Sequence, residues 1–206
     1  MQVLPSTLCH KAVFIGDSSV GKTSIIYQFI FNSCSPDQQA TIGIDFFSKT
    51  ISKGEEMVRL QIWDTAGQEK FHSLIPSYIR GSTIAILTYD ITSRTSFENL
   101  HKWHQIILNT SIPTLFVVGN KLDLDSEREV LTEEGEKFAS GINASFIEVS
   151  AKTAENVEEL FSRVAAVPMK AEEEAPAQKY GGSTETIAVK VGDDNMQIPP
   201  KSGCGC

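Results

Sequence analysis

Residues 16–23 read Gly16-Asp17-Ser18-Ser19-Val20-Gly21-Lys22-Thr23. They fit the pattern GxxxxGK[ST], whose backbone N–H groups curl around an anion while the lysine reaches the β- and γ-phosphates of a nucleotide. The stretch follows an apolar strand, 9–15, and opens a helical pattern, 23–32. This context predicts a nucleoside triphosphate at the helix N-terminus, and the alternative is an ordinary strand–helix turn with an exposed lysine. The predicted phosphate-binding residues are Ser18, Ser19, Val20, Gly21, Lys22, Thr23 and Ser24.

Strand and helix patterns alternate along the rest of the chain. They predict strands at 9–15, 44–52, 57–63, 83–89, 114–118 and 145–149, and helices at 23–32, 96–108, 132–140 and 157–166. Near-continuous apolar strands between helices are typical of an α/β fold with a mostly parallel sheet covered on both faces. In such folds ligands bind at the carboxyl ends of the strands.

Length and composition restrict the function classes. The chain has 206 residues, of which 41% are hydrophobic and 21% charged, with a formal net charge of −8. This acidic balance argues against binding of DNA or RNA, which would need a basic face. No apolar run approaches the ~18 residues of a membrane-spanning helix, and the start of the chain lacks the pattern of a secretory signal. We therefore expect a soluble protein of the reducing cell interior.

The chain divides by composition into a domain and a tail. Residues 7–167 carry the strand and helix patterns, whereas residues 168–206 contain no Leu, Phe or Trp. A segment so poor in large apolar side chains cannot offset the entropy of ordering it. We predict a folded domain at 7–167 and a flexible tail at 168–206.

Two short polar stretches at strand ends point to guanine. Asn120, Lys121 and Asp123 follow one strand, and Ser150-Ala151-Lys152 follow another. The two oxygens of a carboxylate match the N1–H and 2-amino donors of guanine, while adenine would leave a buried carboxylate unmatched. A backbone N–H of the second stretch can meet guanine O6. Either stretch alone also fits a surface turn, but together they predict a guanine pocket.

A third set of residues is suited to sensing the terminal phosphate. Asp64 lies at the end of a strand, where it can hold the coordination shell of a Mg²⁺ ion. The Gly67 N–H is placed to bind the γ-phosphate. The amide of Gln68 can orient an attacking water, which makes it the candidate catalytic residue. Thr23 and Thr41 are candidate metal-ligating hydroxyls, although Thr41 alone also fits a residue that begins a strand. A loop held only by such contacts is released when the phosphate leaves.

With these residues, the chain resembles the Ras-like small GTPases, specifically the Rab family, over about residues 7–167. The stretches that carry the resemblance are 42–46 (IGIDF), 59–69 (RLQIWDTAGQE) and 89–92 (YDIT). The segments 44–50, 73–80 and 163–166 are most similar to the Golgi-associated branch of that family.

The resemblance implies a P-loop GTPase fold with a six-stranded, mostly parallel sheet and a GTP/GDP switch with bound Mg²⁺. It also implies exchange factors, GTPase-activating proteins, a GDP dissociation inhibitor, and an escort protein with a prenyltransferase as partners. Effectors would bind Phe46, Trp63 and Tyr78, aromatic residues that equally fit core or hairpin packing. This places the protein on the cytoplasmic face of intracellular membranes at the Golgi, cycling through the cytosol.

Two positions depart from the family pattern. Cys34 stands where these proteins usually carry an aromatic beside the guanine, and Gln38 where they often carry a tyrosine over the phosphates. The loss of a base contact predicts weaker nucleotide binding and faster unassisted GDP release. Alternatively, the nearby Phe31 repacks to fill the gap.

The chain ends with Cys204 and Cys206, separated by one glycine. This ending matches the double geranylgeranylation signal of the same family, since Gly203 excludes the C-a-a-X pattern. Two lipid chains anchor a protein stably where one gives marginal attachment. A local disulfide or a metal-binding pair are the alternatives.

Two other functions remain open from the sequence. A binding module that holds nucleotide poorly could act as a scaffold through the hairpin and Trp63. An ATP-using kinase is disfavoured by Asn120 and Asp123, because they select guanine.

Overall fold

The computed structural model describes residues 8–33, 41, 43–53, 56–67, 75–108 and 114–168. They lie within one unit, Met1–Lys170. Their six strands are β1 (Leu8–Ile15), β2 (Ile44–Lys53), β3 (Glu56–Thr65), β4 (Ile84–Asp90), β5 (Thr114–Asn120) and β6 (Ser145–Glu148). The strands form one sheet in the order β2-β3-β1-β4-β5-β6. Only the β2–β3 pair is antiparallel, which confirms the predicted six-stranded, mostly parallel sheet.

Helices pack on both faces of this sheet. They are α1 (Lys22–Phe31), α2 (Ile75–Ile79), α3 (Arg94–Glu98), α4 (Leu100–Leu108), α5 (Thr132–Gly141) and α6 (Val157–Ala165), with a 3₁₀ helix at Leu122–Glu127. One core joins α1 and α6, where the rings of Phe29 and Phe161 stack with centroids 3.7 Å apart. The other core contains Ile79 of α2 and the buried residues of α4. Side chains of β4 alternate between these two cores, since successive residues of a strand point to opposite faces.

The structure corrects the predicted helix at 96–108, which is two helices. The first begins at Arg94 because Ser93 caps it, with its hydroxyl accepting a hydrogen bond from the Ser96 N–H at 3.3 Å. The carbonyl of Asn99 then accepts from the N–H groups of both Lys102 and Trp103, a tightening that separates α3 from α4. The short α2 and the 3₁₀ helix have no counterpart among the predicted elements. Across the described part of the chain, helices are too short or too polar to cross a bilayer.

The carboxyl ends of the central strands position the polar stretches. β5 extends two residues beyond its predicted end, which brings Asn120 into register with Asp90 of β4. β3 likewise continues to Thr65, so that Asp64 pairs with Phe14 at the end of β1. The polar stretches that follow β1, β3, β5 and β6 therefore leave the sheet at the same edge.

Candidate nucleotide site

The loop between β1 and α1 closes around the ammonium group of Lys22. Lys22 Nζ donates hydrogen bonds to the carbonyl oxygens of Gly16 at 2.8 Å and Asp17 at 2.7 Å. The side chain is buried, and this burial lowers its pKa to about 8. Helix α1 begins at this lysine without a side-chain cap, so its first N–H groups face the loop. The loop therefore combines a buried cation with open backbone donors, the requirements of a phosphate site.

Asn120 connects this loop to the stretch after β6. Its Nδ2 donates to the Val20 carbonyl at 2.8 Å, and its Oδ1 accepts from the Ala151 N–H at 3.2 Å. Gly21 has a φ of 91°, and a Cβ atom there would lie 2.2 Å from Asn120 Nδ2. A glycine is therefore required at position 21 for both its backbone conformation and the close approach of the amide.

The carboxylate of Asp123 lies beside the same stretch. Ser150 Oγ donates to Asp123 Oδ1 at 2.7 Å, and Lys152 Nζ lies 3.5 Å from the other oxygen. The neighbouring Lys121 has a left-handed backbone, with φ of 71°, and its Nζ lies 2.5 Å from Asp90 Oδ2. The structure thus brings the predicted base-selecting residues together, with the aspartate oriented by a hydroxyl from the opposite loop.

Three oxygen ligands converge beside the phosphate loop. Thr23 Oγ1 donates to Asp64 Oδ2 at 2.5 Å and lies 2.8 Å from Thr41 Oγ1. Asp64 is fully buried, and its Oδ1 has no hydrogen-bond partner. Burial raises the pKa of this carboxyl to about 6, against the opposing hydrogen bond from Thr23. Hydroxyl and carboxylate oxygens with one unsatisfied buried atom fit Mg²⁺, a hard cation that prefers oxygen ligands.

Gly67 lies directly on the phosphate loop. A Cβ atom at this position would lie 2.3 Å from both the Ser18 nitrogen and the Asp17 carbonyl carbon. The adjacent Ala66 N–H donates to the Gly43 carbonyl at 3.0 Å, which joins the segments that carry Gly67 and Thr41. The candidate catalytic residue Gln68 lies outside the described residues. So do Cys34 and Gln38, which depart from the family pattern, and the predicted lipidation sites Cys204 and Cys206.

The predicted effector residues lie on the hairpin and on α2. Phe46 is 53% exposed and its ring makes an edge contact with Trp63, with centroids 5.4 Å apart. Lys11 Nζ lies 4.7 Å from the Trp63 ring centroid and donates to the carbonyl of Arg80 at 3.0 Å. Tyr78 is half-buried on α2, two residues before that carbonyl.

Sequence reasoning missed an interaction of Asp17, whose side chain belongs to no part of the phosphate-loop pattern. Its carboxylate accepts hydrogen bonds from Asn99 Nδ2 and Trp103 Nε1, each at 2.7 Å. These partners are 82 and 86 residues away in sequence, so no local pattern indicates the contact. The contact lies beside a cleft of about 360 Å³ between the phosphate loop, Gly67 and α3–α4.

Comparison with known protein families shows what this chain is similar to. The model of the Ras family matches residues 11–169. The matched span begins in β1 and ends beyond α6, and therefore contains the phosphate loop, both predicted base-selecting stretches and the side-chain oxygens of Thr23, Thr41 and Asp64.

Proposed function

This chain belongs to the Ras family, and from that membership we propose that it is a Rab-type switch that regulates vesicle trafficking at the Golgi. As a member of the family it is a small GTPase, which binds guanine nucleotide with Mg²⁺ and hydrolyses GTP. Family membership also implies exchange factors, GTPase-activating proteins and effectors as partners. The finer assignment rests on the sequence stretches that resemble Rab proteins and on the aromatic pair of the hairpin.

One observation carries the proposed switch: the hydroxyl of Thr41 reaches the phosphate-loop hydroxyl of Thr23, which in turn donates to Asp64. The segment before β2 is thereby joined to the phosphate site through side-chain oxygens. A ligand that adds contacts to Thr41 and to the Gly67 N–H stabilises this arrangement, and a ligand that lacks them does not. GTP and GDP differ by the phosphate that would make these contacts.

The described residues account for binding and orientation in the reaction. The Lys22 ammonium is held where phosphate oxygens would bind, and Asp123 would hold the guanine edge. Thr23, Thr41 and Asp64 would hold Mg²⁺, which when bound neutralises charge on the β- and γ-phosphates. Gln68 is proposed to orient the attacking water, and an activating protein would supply further stabilisation of the transition state, such as an arginine.

Nucleotide selection tests the base-selecting site. We expect excess GTP, but not excess ATP, to displace a fluorescent guanine nucleotide from the purified protein, because adenine leaves Asp123 unmatched. Equal displacement by ATP would contradict the assignment of Asp123 and support the kinase alternative.

Backbone exchange tests the switch. Amide hydrogen exchange around Thr41 and Gly67 is expected to be slower with a non-hydrolysable GTP analogue than with GDP. The β4 amides serve as an internal control, since every residue of this strand is buried. Identical protection around Thr41 in the two nucleotide states would refute a signalling role and leave the scaffold alternative.

The trafficking assignment includes partners and a location. We propose that a GDP dissociation inhibitor and an escort protein with a prenyltransferase handle the chain, and that two geranylgeranyl groups attach it to the cytoplasmic face of Golgi membranes. Tagged full-length protein is expected to overlap a Golgi marker in cells. When the protein is immobilised on beads, its form loaded with the GTP analogue is expected to retain partners that its GDP-loaded form releases. Tagged protein distributed over other organelles would refute the Golgi assignment.

A further inference from the structure

We propose that the Asp17 carboxylate, clamped by Trp103 and Asn99 of the α3–α4 region, is a positioning group that sets how long the phosphate loop retains its nucleotide. The inference rests on the guanine-nucleotide binding described above and assigns a role to Asp17, a position that the phosphate-loop pattern leaves unspecified, and to two residues outside that loop. It also links Asn99 and Trp103, which do not belong to the phosphate loop, to nucleotide release.

Both carboxylate oxygens of Asp17 are hydrogen-bonded, and the clamp is partly shielded from water. Trp103 is 2% exposed, and its indole N–H donates to Asp17 Oδ1 while the Asn99 amide donates to Oδ2. Lys102 Nζ lies 2.8 Å from Asn99 Oδ1, which turns the amide nitrogen of Asn99 toward the carboxylate. Hydrogen bonds to an ionised acceptor are stronger than neutral ones, so both donors hold Asp17 in one orientation.

The peptide group of Asp17 is also the point where the phosphate loop meets its other supports. Its carbonyl oxygen accepts a hydrogen bond from the Lys22 ammonium. Gly67 lies close to the peptide bond between Asp17 and Ser18. A change in the orientation of Asp17 therefore displaces the lysine that binds phosphate and the segment that senses it. Side chains of α4 act on the nucleotide through this residue, without touching it.

Charge gives a second reason for the clamp. A carboxylate in a loop that binds phosphate repels the ligand unless donors hold it aside, since like charges disfavour each other at short range. Trp103 and Asn99 supply these donors from the side of the loop that faces α4. Loss of one donor leaves the carboxylate free to turn toward the bound anion.

The experiment compares GDP release from the full-length protein and three variants: Trp103→Phe, Asp17→Ala and the double variant. Trp103→Phe keeps an aromatic ring but removes the N–H donor, and we expect GDP to dissociate roughly fivefold faster, a typical coupling between linked sites. In the Asp17→Ala background the same substitution is expected to leave the release rate unchanged, because the acceptor is already absent. Release is followed by loss of radiolabelled GDP, a signal independent of tryptophan.

A matched control separates positioning from a general loss of stability. Ile107→Val also alters a buried residue of α4, but Ile107 lies one turn beyond Trp103. We expect it to lower the melting temperature without changing the rate of GDP release. The inference would be overturned, while the proposed function stands, if Trp103→Phe released GDP at the wild-type rate. It would also be overturned if Trp103→Phe accelerated GDP release equally in the presence and absence of Asp17. A wild-type protein that retains no guanine nucleotide in this assay would refute both.

Discussion

Lys22 and Asp64 are buried ionisable residues at the phosphate site, and each has a displaced pKa. Burial lowers the pKa of Lys22 to about 8 and raises that of Asp64 to about 6. A bound nucleotide reverses both effects, because phosphate anions favour the ammonium and a Mg²⁺ ion favours the carboxylate. Binding is therefore linked to proton uptake by Lys22 above pH 8 and to proton release from Asp64 below pH 6.

These linkages predict that the affinity for GDP with Mg²⁺ is highest between pH 6 and pH 8. Above pH 8 the empty site must take up a proton before binding, and below pH 6 it must lose one, so affinity declines by up to about tenfold per pH unit on each side. Equilibrium titration with a fluorescent guanine nucleotide between pH 5 and pH 9.5 measures both limbs.

The variant Asp64→Asn is the control for the acidic limb. It removes the titrating carboxyl, so the decline below pH 6 should shrink to the part contributed by the nucleotide phosphates, while the decline above pH 8 should remain. An acidic limb of equal steepness in both proteins would show that Asp64 does not titrate as its burial indicates.

Cys34 is the residue for which the sequence predicts fast nucleotide release, and the structure bears on the competing interpretation. Phe31 is 56% exposed, and its ring contacts those of Tyr27 and Phe47 with centroids 5.2 and 6.4 Å away. A movement of the Phe31 ring away from these two rings would lose both contacts. The described contacts therefore oppose the alternative in which Phe31 repacks.

We expect Cys34→Phe to slow GDP release about tenfold, since one aromatic contact to a base contributes on the order of 1–3 kcal/mol. Cys34→Ala, which adds no contact, should release GDP at the wild-type rate. The measurement is nucleotide dissociation in excess Mg²⁺. Equal rates for the phenylalanine and alanine variants would contradict the predicted role of position 34.

At the scale of elements, a buried ion pair joins β6 to the segment before α5. The Arg128 guanidinium donates to both carboxylate oxygens of Glu148, at 2.6 and 2.9 Å, and to Asp125 at 2.7 Å. Thr132 Oγ1 at the start of α5 adds a bond to Glu148 at 3.1 Å. The side chains of Arg128 and Glu148 are 13% and 8% exposed, so the pair is shielded from water.

Removal of the cation should leave the Glu148 carboxylate buried without its cationic partner. Arg128→Met is expected to lower the free energy of unfolding by about 3–5 kcal/mol. The control is Arg94→Met, which breaks a pair with Glu134 whose side chains are both 38% exposed, and this loss should be much smaller because water screens the pair. Denaturant titrations of the two variants give the comparison, and equal losses would show that burial does not determine the strength of these pairs.

The elements also show what the sequence can and cannot predict. Strand β4 and the phosphate loop are predictable because a continuous apolar run and a local glycine pattern each specify them within a few residues. The contact between Asp17 and Asn99 is not predictable in this way, because the two residues are 82 positions apart in sequence. Asn120 was predicted as a base-selecting residue, but its role in joining the phosphate loop to Ala151 depends on which strands are neighbours.

For the whole molecule, the site depends on one consequence of sheet topology. β1, β3, β4, β5 and β6 are parallel, so the loops that follow them meet at one edge although they are distant in sequence. Alternation of strands and helices predicts this edge, and polar residues at each strand end predict the contents of the site. The candidate metal-ligating set is less predictable, since Thr41 joins it from a segment between α1 and β2.

Attachment of the whole molecule to a membrane is predicted to depend on Cys204 and Cys206 together. Residues 168–206 contain four lysines against six aspartates and glutamates, so the tail offers no electrostatic attraction to anionic lipids. One lipid chain binds a bilayer only marginally, whereas two give stable attachment. The double variant Cys204→Ser, Cys206→Ser is therefore expected in the soluble fraction of lysed cells, and each single variant in both the soluble and the membrane fraction. The control Cys9→Ser, which alters a cysteine of β1, is expected on membranes like the wild type. A double variant that still sediments with membranes would show that another part of the chain, or a partner, holds the protein there.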